Sequence, residues 1–298
     1  MLRTQHEVRT EDGRLLLVEV AGPERGDVVF WHHGTPGSRC RDRELLDVGA
    51  SRGLRHVSYS RPGYEGSDRL AGRGIADCAG DVEVIADQLE LDSGFVVGES
   101  GGCPYALVQA ASMPEWTRAV AVIVGPAPFG AEGLDWFAGM ATGNQVEFRT
   151  LIAGDAAWRP YLEDRLEKIK AAGDLRQLFE ALDADDVLTD ADLQSLERDG
   201  LKDEVMLAWK RIAADGLWGW FDDGKALPGD WGFGFDEVEA PVAVWHGEDD
   251  PAVPVAHGKW VADRLPNATL HLLQGEGHSS PMDHYGEILD DLLEVVSQ

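Results

Sequence analysis

Basic residues are scarce in this chain: 26 lysines and arginines stand against 54 aspartates and glutamates, a formal net charge of -28. So acidic a surface argues against nucleic acid and anionic membrane, neither of which is expected as a partner, and favours solubility. Cysteine is scarce as well. Cys40, Cys78 and Cys103 are too few and too scattered for a disulfide framework or a zinc site, which predicts a reduced, cytoplasmic setting. No stretch approaches the roughly 18 apolar residues of a membrane span, and the first residues, MLRTQHEVRTEDGR, lack an apolar targeting core. Internal repeats and low-complexity tracts are also missing.

What is present is a chain of 298 residues, 44% hydrophobic and 27% charged, long enough for one large α/β domain or a domain with an insertion. Its focal stretch is GFVVGESGGCPYALVQA, residues 94–110. Phe95, Val96 and Val97 read as the end of a buried parallel strand, because a strand covered on both faces requires a short continuous apolar run. From Tyr105 onward, Ala106, Leu107, Val108 and Ala110 suit a helix packed on that strand. Only a very sharp turn joins the two within about four residues, and it forces Ser100 into an unfavourable backbone conformation with its side chain exposed. Glycines on either side relieve the crowding.

Other strand ends carry chemistry too. Asp12-Gly13 signals a hairpin between two edge strands, at 8–9 and 15–20. Residues 28–31 form the next buried strand and run into His32-His33-Gly34-Thr35-Pro36-Gly37-Ser38. Acyl transfer needs backbone N–H groups, on a loop beside the nucleophile, for the oxygen that becomes negative. Pro36 has none, so Thr35 is the best donor within this loop, with Gly101, the residue after Ser100, as its partner. His32 and His33 read as structural loop residues. Helical spacing marks 43–53 and 75–91, and the strand at 54–59 ends in SRPGYEGS, where Arg61 either braces the site or makes a surface pair and reads first as structural. Three strand–helix pairs in succession predict a parallel, doubly wound sheet.

After a strand at 119–124 the pattern changes. Helical segments at 161–171, 175–182, 191–198 and 202–213, with no clear buried strand among them, predict a lid-like insertion of roughly a hundred residues. The expected division is a core of residues 1–128 and 237–298 and a helical cap of residues 129–236, inserted after the sixth strand. Trp136, Trp209, Trp218 and Trp220 each read first as core of the cap, and together as walls of an apolar pocket. Strand character resumes at 240–245 and leads into His246-Gly247-Glu248-Asp249-Asp250, where three acids compete for the role of a carboxylate that orients a base. The last strand, 268–273, delivers Gln274-Gly275-Glu276-Gly277-His278. In that loop His278 can reach back to Ser100 as a general base, whereas His271 lies within the strand and His284 beyond, at a helix start.

HGTPG, SRPGYEGS, GESGG, HGEDD and GEGH, in this order and at these strand ends, resemble a lid-bearing member of the α/β-hydrolase fold superfamily. The likeness covers everything except the lid. It implies an eight-stranded, mostly parallel sheet, the triad Ser100-Asp250-His278 and an oxyanion hole from the amides of Thr35 and Gly101. Asp250 is favoured over Asp249 and Glu248 because it alone fits the family's HG-x-x-D-x-x-x-P pattern. Epoxide hydrolases and haloalkane dehalogenases of similar fold use an aspartate at the elbow, so Ser100 argues against both. Glu99 and Cys103 flank the nucleophile as departures, and Cys103 reads as a small helix residue rather than a second nucleophile. The expected function is that of a carboxylesterase-like serine hydrolase acting through an acyl-enzyme on a small, largely apolar molecule. No metal or organic cofactor is expected, and the chain is expected to be a monomer or homodimer. Two alternatives stay open: the same triad acting on a lactone, amide, thioester or C–C bond, and a ligand-binding protein that retains the fold without turnover.

Overall fold

The computed structural model describes residues 2–40, 42–184, 186–198 and 200–295. The apolar runs become strands: β1 (Leu2–Arg9), β2 (Leu15–Gly22), β3 (Asp27–His32), β4 (Leu54–Tyr59), β5 (Gly94–Glu99), β6 (Thr117–Ile123), β7 (Val242–Gly247) and β8 (Ala268–Leu273). They form one eight-stranded sheet in the order β1-β2-β4-β3-β5-β6-β7-β8. Only β2 runs against the others, pairing antiparallel with β1 from Leu2↔Gly22 to Arg9↔Leu15 and with β4 on its other side. β1 starts well before the two residues that the apolar pattern marks. It is an edge strand held by backbone hydrogen bonds, with Val8 its only buried apolar side chain, so little apolar signal betrays it.

The helices α1 (Arg43–Ser51), α2 (Asp77–Gln88) and α3 (Cys103–Ser112) connect the parallel strands. On one face Phe30, Val96, Val120 and Val244 pack against Val82, Ile85 and Leu107 of α2 and α3. On the other, Trp31, Val97, Ala121 and Trp245 meet Leu45 of α1. Alternate residues of β5 therefore serve opposite cores, which explains its unbroken apolar run. Burying each large apolar side chain there contributes about 1.5–3 kcal/mol. Because β4 and β5 flank β3 on opposite sides, the winding of the sheet reverses at β3, and the loops leaving β3 and β5 open side by side into the crevice where ligands bind in such sheets.

Between β6 and β7 lies the helical cap: α4 (Thr142–Ile152), α5 (Asp155–Ala171), α6 (Leu175–Ala181), α7 (Asp190–Ser195), α8 (Leu201–Asp215) and α9 (Trp218–Ala226). It has its own core, in which Trp158, Leu162, Leu166, Leu178 and Trp220 meet. The helical spacing did not mark α4 or α9. In α4 only Leu151 is buried, and α9 carries two glycines and two buried aspartates, so neither shows an apolar stripe. The helices α10 (Ala256–Ala262) and α11 (Tyr285–Val295) complete the chain, with Ile288, Leu289 and Leu292 of α11 packed on the same face as Leu45.

Asp223 of α9 ties cap to sheet. It is fully buried, as are Arg61 and, almost wholly, Arg73, and its carboxylate pairs with both guanidinium groups. Tyr64 Oη and Thr35 Oγ1 donate to its Oδ2 at 2.9 Å, and Tyr105 Oη donates to Oδ1 at 2.8 Å. Arg61 also donates to the carbonyls of His33 and Gly34 at 2.6 and 2.8 Å, so it braces the loop after β3 from within. Burial works against ionisation of Asp223, but the two arginines outweigh it and hold the carboxyl well below the usual carboxylate range.

Removing one partner of such a buried group leaves charge unpaired, so Asp223→Asn should cost about 3–5 kcal/mol in urea unfolding. A depressed folded pKa means stabilisation that is complete above the unfolded value and lost as pH falls. The gap between wild type and variant should therefore narrow below about pH 3.9, and a gap that stays constant to lower pH would contradict an ionised Asp223.

Candidate active site

Ser100 stands at the end of β5 with φ at 50°, in the left-handed region that a β-carbon disfavours. The flanking glycines admit close neighbours: a Cβ at position 98 would lie 2.8 Å from the Cβ of Ala106, and one at 102 would lie 2.2 Å from the carbonyl oxygen of His32. Strand, turn and helix thus crowd together only because those two positions lack side chains, and the crowding turns the Ser100 hydroxyl toward the crevice.

Two further loops meet it there. His278 Nε2 lies 3.0 Å from Ser100 Oγ, and His278 Nδ1 lies 2.8 Å from Asp250 Oδ2. An ionised carboxylate only accepts, so Nδ1 carries the proton and Nε2 is left to accept from the serine hydroxyl. Asp250 is buried and its other oxygen accepts from the N–H groups of Ala252 and Val253 at 2.8 and 2.9 Å, which fixes the carboxylate. Glu248 and Asp249 are exposed, so burial separates the three acids that compete in the sequence. The desolvation of Asp250 is outweighed by His278, with His246 assisting, and its carboxyl stays below the usual range. Burial alone would lower the His278 pKa. The charge of Asp250 and its hydrogen bond, with Asp192 and Glu99 adding to them, raise it above the ordinary value instead.

Gly101 and Thr35 are neighbours: a Cβ at position 101 would fall 2.6 Å from Thr35 Oγ1 and 3.1 Å from the Thr35 nitrogen. Thr35 turns its hydroxyl to Asp223, which anchors the loop away from the crevice. The remaining candidates are structural. His32 is buried against Gln109 at 2.7 Å, and burial brings its pKa down to about 3. His33 bonds the carbonyl of Gly34, and His271 stacks on Trp245. Cys103 is buried with its sulfur 3.2 Å from the carbonyl of Gly98, and burial pushes its thiol pKa far up, the opposite of an activated nucleophile.

A cavity of about 410 Å³ opens over Ser100 and His278. Phe148, Phe179, Leu182, Trp209, Trp220 and Met282 give it apolar walls. Of the four tryptophans weighed in the sequence, Trp209 and Trp220 line it, Trp136 is buried elsewhere, and Trp218 lies under Arg69. A larger polar cleft of about 510 Å³ shares Asp42, Arg198 and Leu201 with this cavity but does not reach Ser100, so the reacting groups belong to the smaller space. Glu147 of α4 also faces the cavity, a role that no pattern in the chain marks. Burial pushes its carboxyl up, against the pull of Arg165 and hydrogen bonds with Trp220 and Tyr161.

A family model described as alpha/beta hydrolase fold matches residues 27–285. The chain belongs to the alpha/beta hydrolase fold family. This hydrolase is 26% identical over 264 residues to a 2-hydroxy-6-oxo-6-phenylhexa-2,4-dienoate hydrolase of Burkholderia cepacia, covering 86% of this chain and 82% of that one. It is 25% identical to a bifunctional esterase/perhydrolase of Acinetobacter calcoaceticus, over 97% of this chain and 98% of the relative. A crystal structure of a bromoperoxidase from Bacillus anthracis superposes with a TM-score of 0.72 at 19% identity, covering 99% of this hydrolase and 100% of that chain, a likeness of fold.

The raised pKa of His278 is directly measurable. Its imidazole should titrate above the ordinary value of about 6.5 by NMR, and Asp250→Asn should bring it down. A raised folded pKa contributes stability below the unfolded value and loses it as pH rises through the folded one. Titration at or below the ordinary value in wild type would contradict an ionised Asp250 at its side.

Proposed function

We propose that this hydrolase cleaves a carboxylic ester or related acyl bond of a small, largely apolar substrate through an acyl-enzyme. The observation that carries the reading is the hydrogen-bonded chain Ser100–His278–Asp250, set on a strained elbow at the floor of an apolar-walled cavity. Ser100 Oγ attacks the carbonyl carbon as His278 Nε2 takes its proton, and Asp250 holds the imidazole and stabilises its cationic form. The carbonyl oxygen becomes negative and is received by the N–H groups of Thr35 and Gly101. Collapse breaks the ester C–O bond, and His278 returns its proton to the leaving alkoxide. Water, deprotonated by His278, then attacks the acyl-serine, releasing the acid and restoring Ser100.

The same triad acting on a C–C bond is the second reading, favoured by the name of the Burkholderia relative, whose substrate is a dienoate. The charge of the cavity counts against a carboxylate-bearing substrate. Glu99 and Glu147 both line it, and Arg198, the one arginine or lysine among the described residues lining it, is already paired with Glu44 and Asp283. A small-molecule substrate is the partner this cavity suits. Three free cysteines support a reducing, cytoplasmic location, and among the described residues no helix is long and apolar enough to cross a membrane.

Ser100→Ala should lower kcat for a p-nitrophenyl ester by about 10⁴-fold or more while leaving the melting temperature unchanged, and Asp250→Asn by about 10⁴-fold. Undiminished turnover in the serine variant would sink the assignment. Between two esters of equal length, the neutral one should be preferred over the one carrying a terminal carboxylate by about tenfold or more in kcat/KM, and Glu147→Gln should narrow that ratio. Preference for the acidic ester would favour the second reading.

A further inference from the structure

The loop that carries His278 is fastened by the cap. Asp192 of α7 is fully buried. Its Oδ1 accepts from the backbone N–H groups of Ser279 and Ser280, both at 2.8 Å, and its Oδ2 accepts from that of His278 at 3.3 Å. The same Oδ2 accepts from the Thr189 N–H at 2.9 Å and the Thr189 hydroxyl at 3.0 Å, capping the helix that bears it. A buried carboxylate must recover the hydration it loses, and here three successive amides of the histidine loop supply most of the replacement.

The core side is shaped to receive it. A Cβ at position 277 would fall 2.1 Å from Asp192 Oδ2 and 2.4 Å from Thr189 Oγ1. The glycine preceding His278 is therefore where the cap carboxylate presses against the loop. One turn further on, Ser195 Oγ donates to Asp283 at 2.8 Å, and Arg198, past the end of α7, pairs with the same aspartate at 3.0 Å, so the contact continues beyond the helix.

We propose that Asp192 is a positioning residue for His278: through its three loop amides the docked cap sets the imidazole between Asp250 and Ser100, and thus completes the reacting geometry as well as walling the cavity. The inference rests on the acyl-transfer reading above. It has an electrostatic corollary. His278 is faced by Asp250 from the loop after β7, itself touched by His246, by Asp192 from α7 and by Glu99 from the end of β5. Burial lowers the His278 pKa, and Asp250 above all, with Asp192 and Glu99, raises it. Neutralising Asp192 should then move the pKa down, and with it the acid limb of reactivity, because the base works only when unprotonated.

The test is Asp192→Asn in the full chain, with three measurements: the melting curve, the NMR titration of His278, and the rate of Ser100 phosphonylation by a fluorophosphonate across pH. The expected result is a folded protein whose His278 titrates lower, whose acid limb follows it down, and whose plateau rate falls on the order of 10- to 100-fold through misplacement of the base. Gly277→Ala, which pushes the loop off the carboxylate, should lower the plateau in the same way, and the double variant should lose less than the product of the two single losses. A folded Asp192→Asn protein with unchanged titration and unchanged rate overturns the proposal, and if that variant does not fold, an unchanged plateau in Gly277→Ala overturns it. A wild type that takes no label contradicts the acyl-transfer reading instead, and the His278 titration still decides the role of Asp192.

Discussion

A single buried carboxylate organises the meeting of cap and sheet. Asp223 is fully buried, so its charge exists only because Arg61 and Arg73 are held against it from the loop after β4. Other donors of theirs go to the carbonyls of His33 and Gly34 and to the hydroxyl of Tyr105. Each of those partners lies in a loop or helix that frames Ser100. The loop that offers Thr35 therefore has its place set by an ion pair reaching in from the cap, and moving α9 would expose three buried charges at once. An apolar contact of equal size would resist separation less, because it leaves no unpaired charge behind.

The sheet was legible because its strands are covered on both faces, which leaves continuous apolar runs at β3, β5, β6 and β7. Ser100 and His278 were legible because sharp turns need glycine and the glycines survive as letters. Arg61 reads from the sequence first as a structural, surface pair, whereas it is fully buried and braces the loop after β3, a place in a charged network that no local pattern shows. The acids were harder. Among 54 aspartates and glutamates, nothing in composition distinguishes Asp192, Asp223 and Glu147 from a solvated surface. What sets them apart is three-dimensional: the Asp223 carboxylate finds guanidinium groups more than a hundred residues away in the chain. A local hint did exist in Trp218-Gly219-Trp220-Phe221-Asp222-Asp223, where two acids follow an aromatic cluster. The Thr189-x-x-Asp192 spacing likewise marks a capping box, though not the second use of its carboxylate.

The excess of negative charge therefore has two parts with different physics. Exposed acids sit in high dielectric, are screened by salt, and act together as a weak field around the molecule. The few buried ones act at hydrogen-bond distance in low dielectric, where each fixes a local geometry. Asp250 orients the histidine, Asp192 holds its loop, and Asp223 holds the loop opposite. On the acyl-transfer reading proposed above, fixing both sides of the crevice matters because Ser100 must meet a carbonyl and a base at once, and an error of about 1 Å in either costs on the order of a hundredfold.

A cap bonded to the sheet in this way is poorly suited to swing open as a unit. Lifting α9 would separate Asp223 from its arginines, and lifting α7 would strip Asp192 from the loop of His278. Access to Ser100 is cheaper where cap and core meet through water-exposed groups. Such a place lies beside Arg198, whose guanidinium joins the cap to Glu44 and Asp283 on a partly exposed surface, and where the cavity shares Asp42, Arg198 and Leu201 with the polar cleft. Partly exposed ion pairs there are weaker than the buried ones, and with two carboxylates at hand Arg198 can release one while it stays neutralised by the other. The distribution of charge between interior and rim thus separates what must stay fixed for chemistry from what must give way for a substrate to enter.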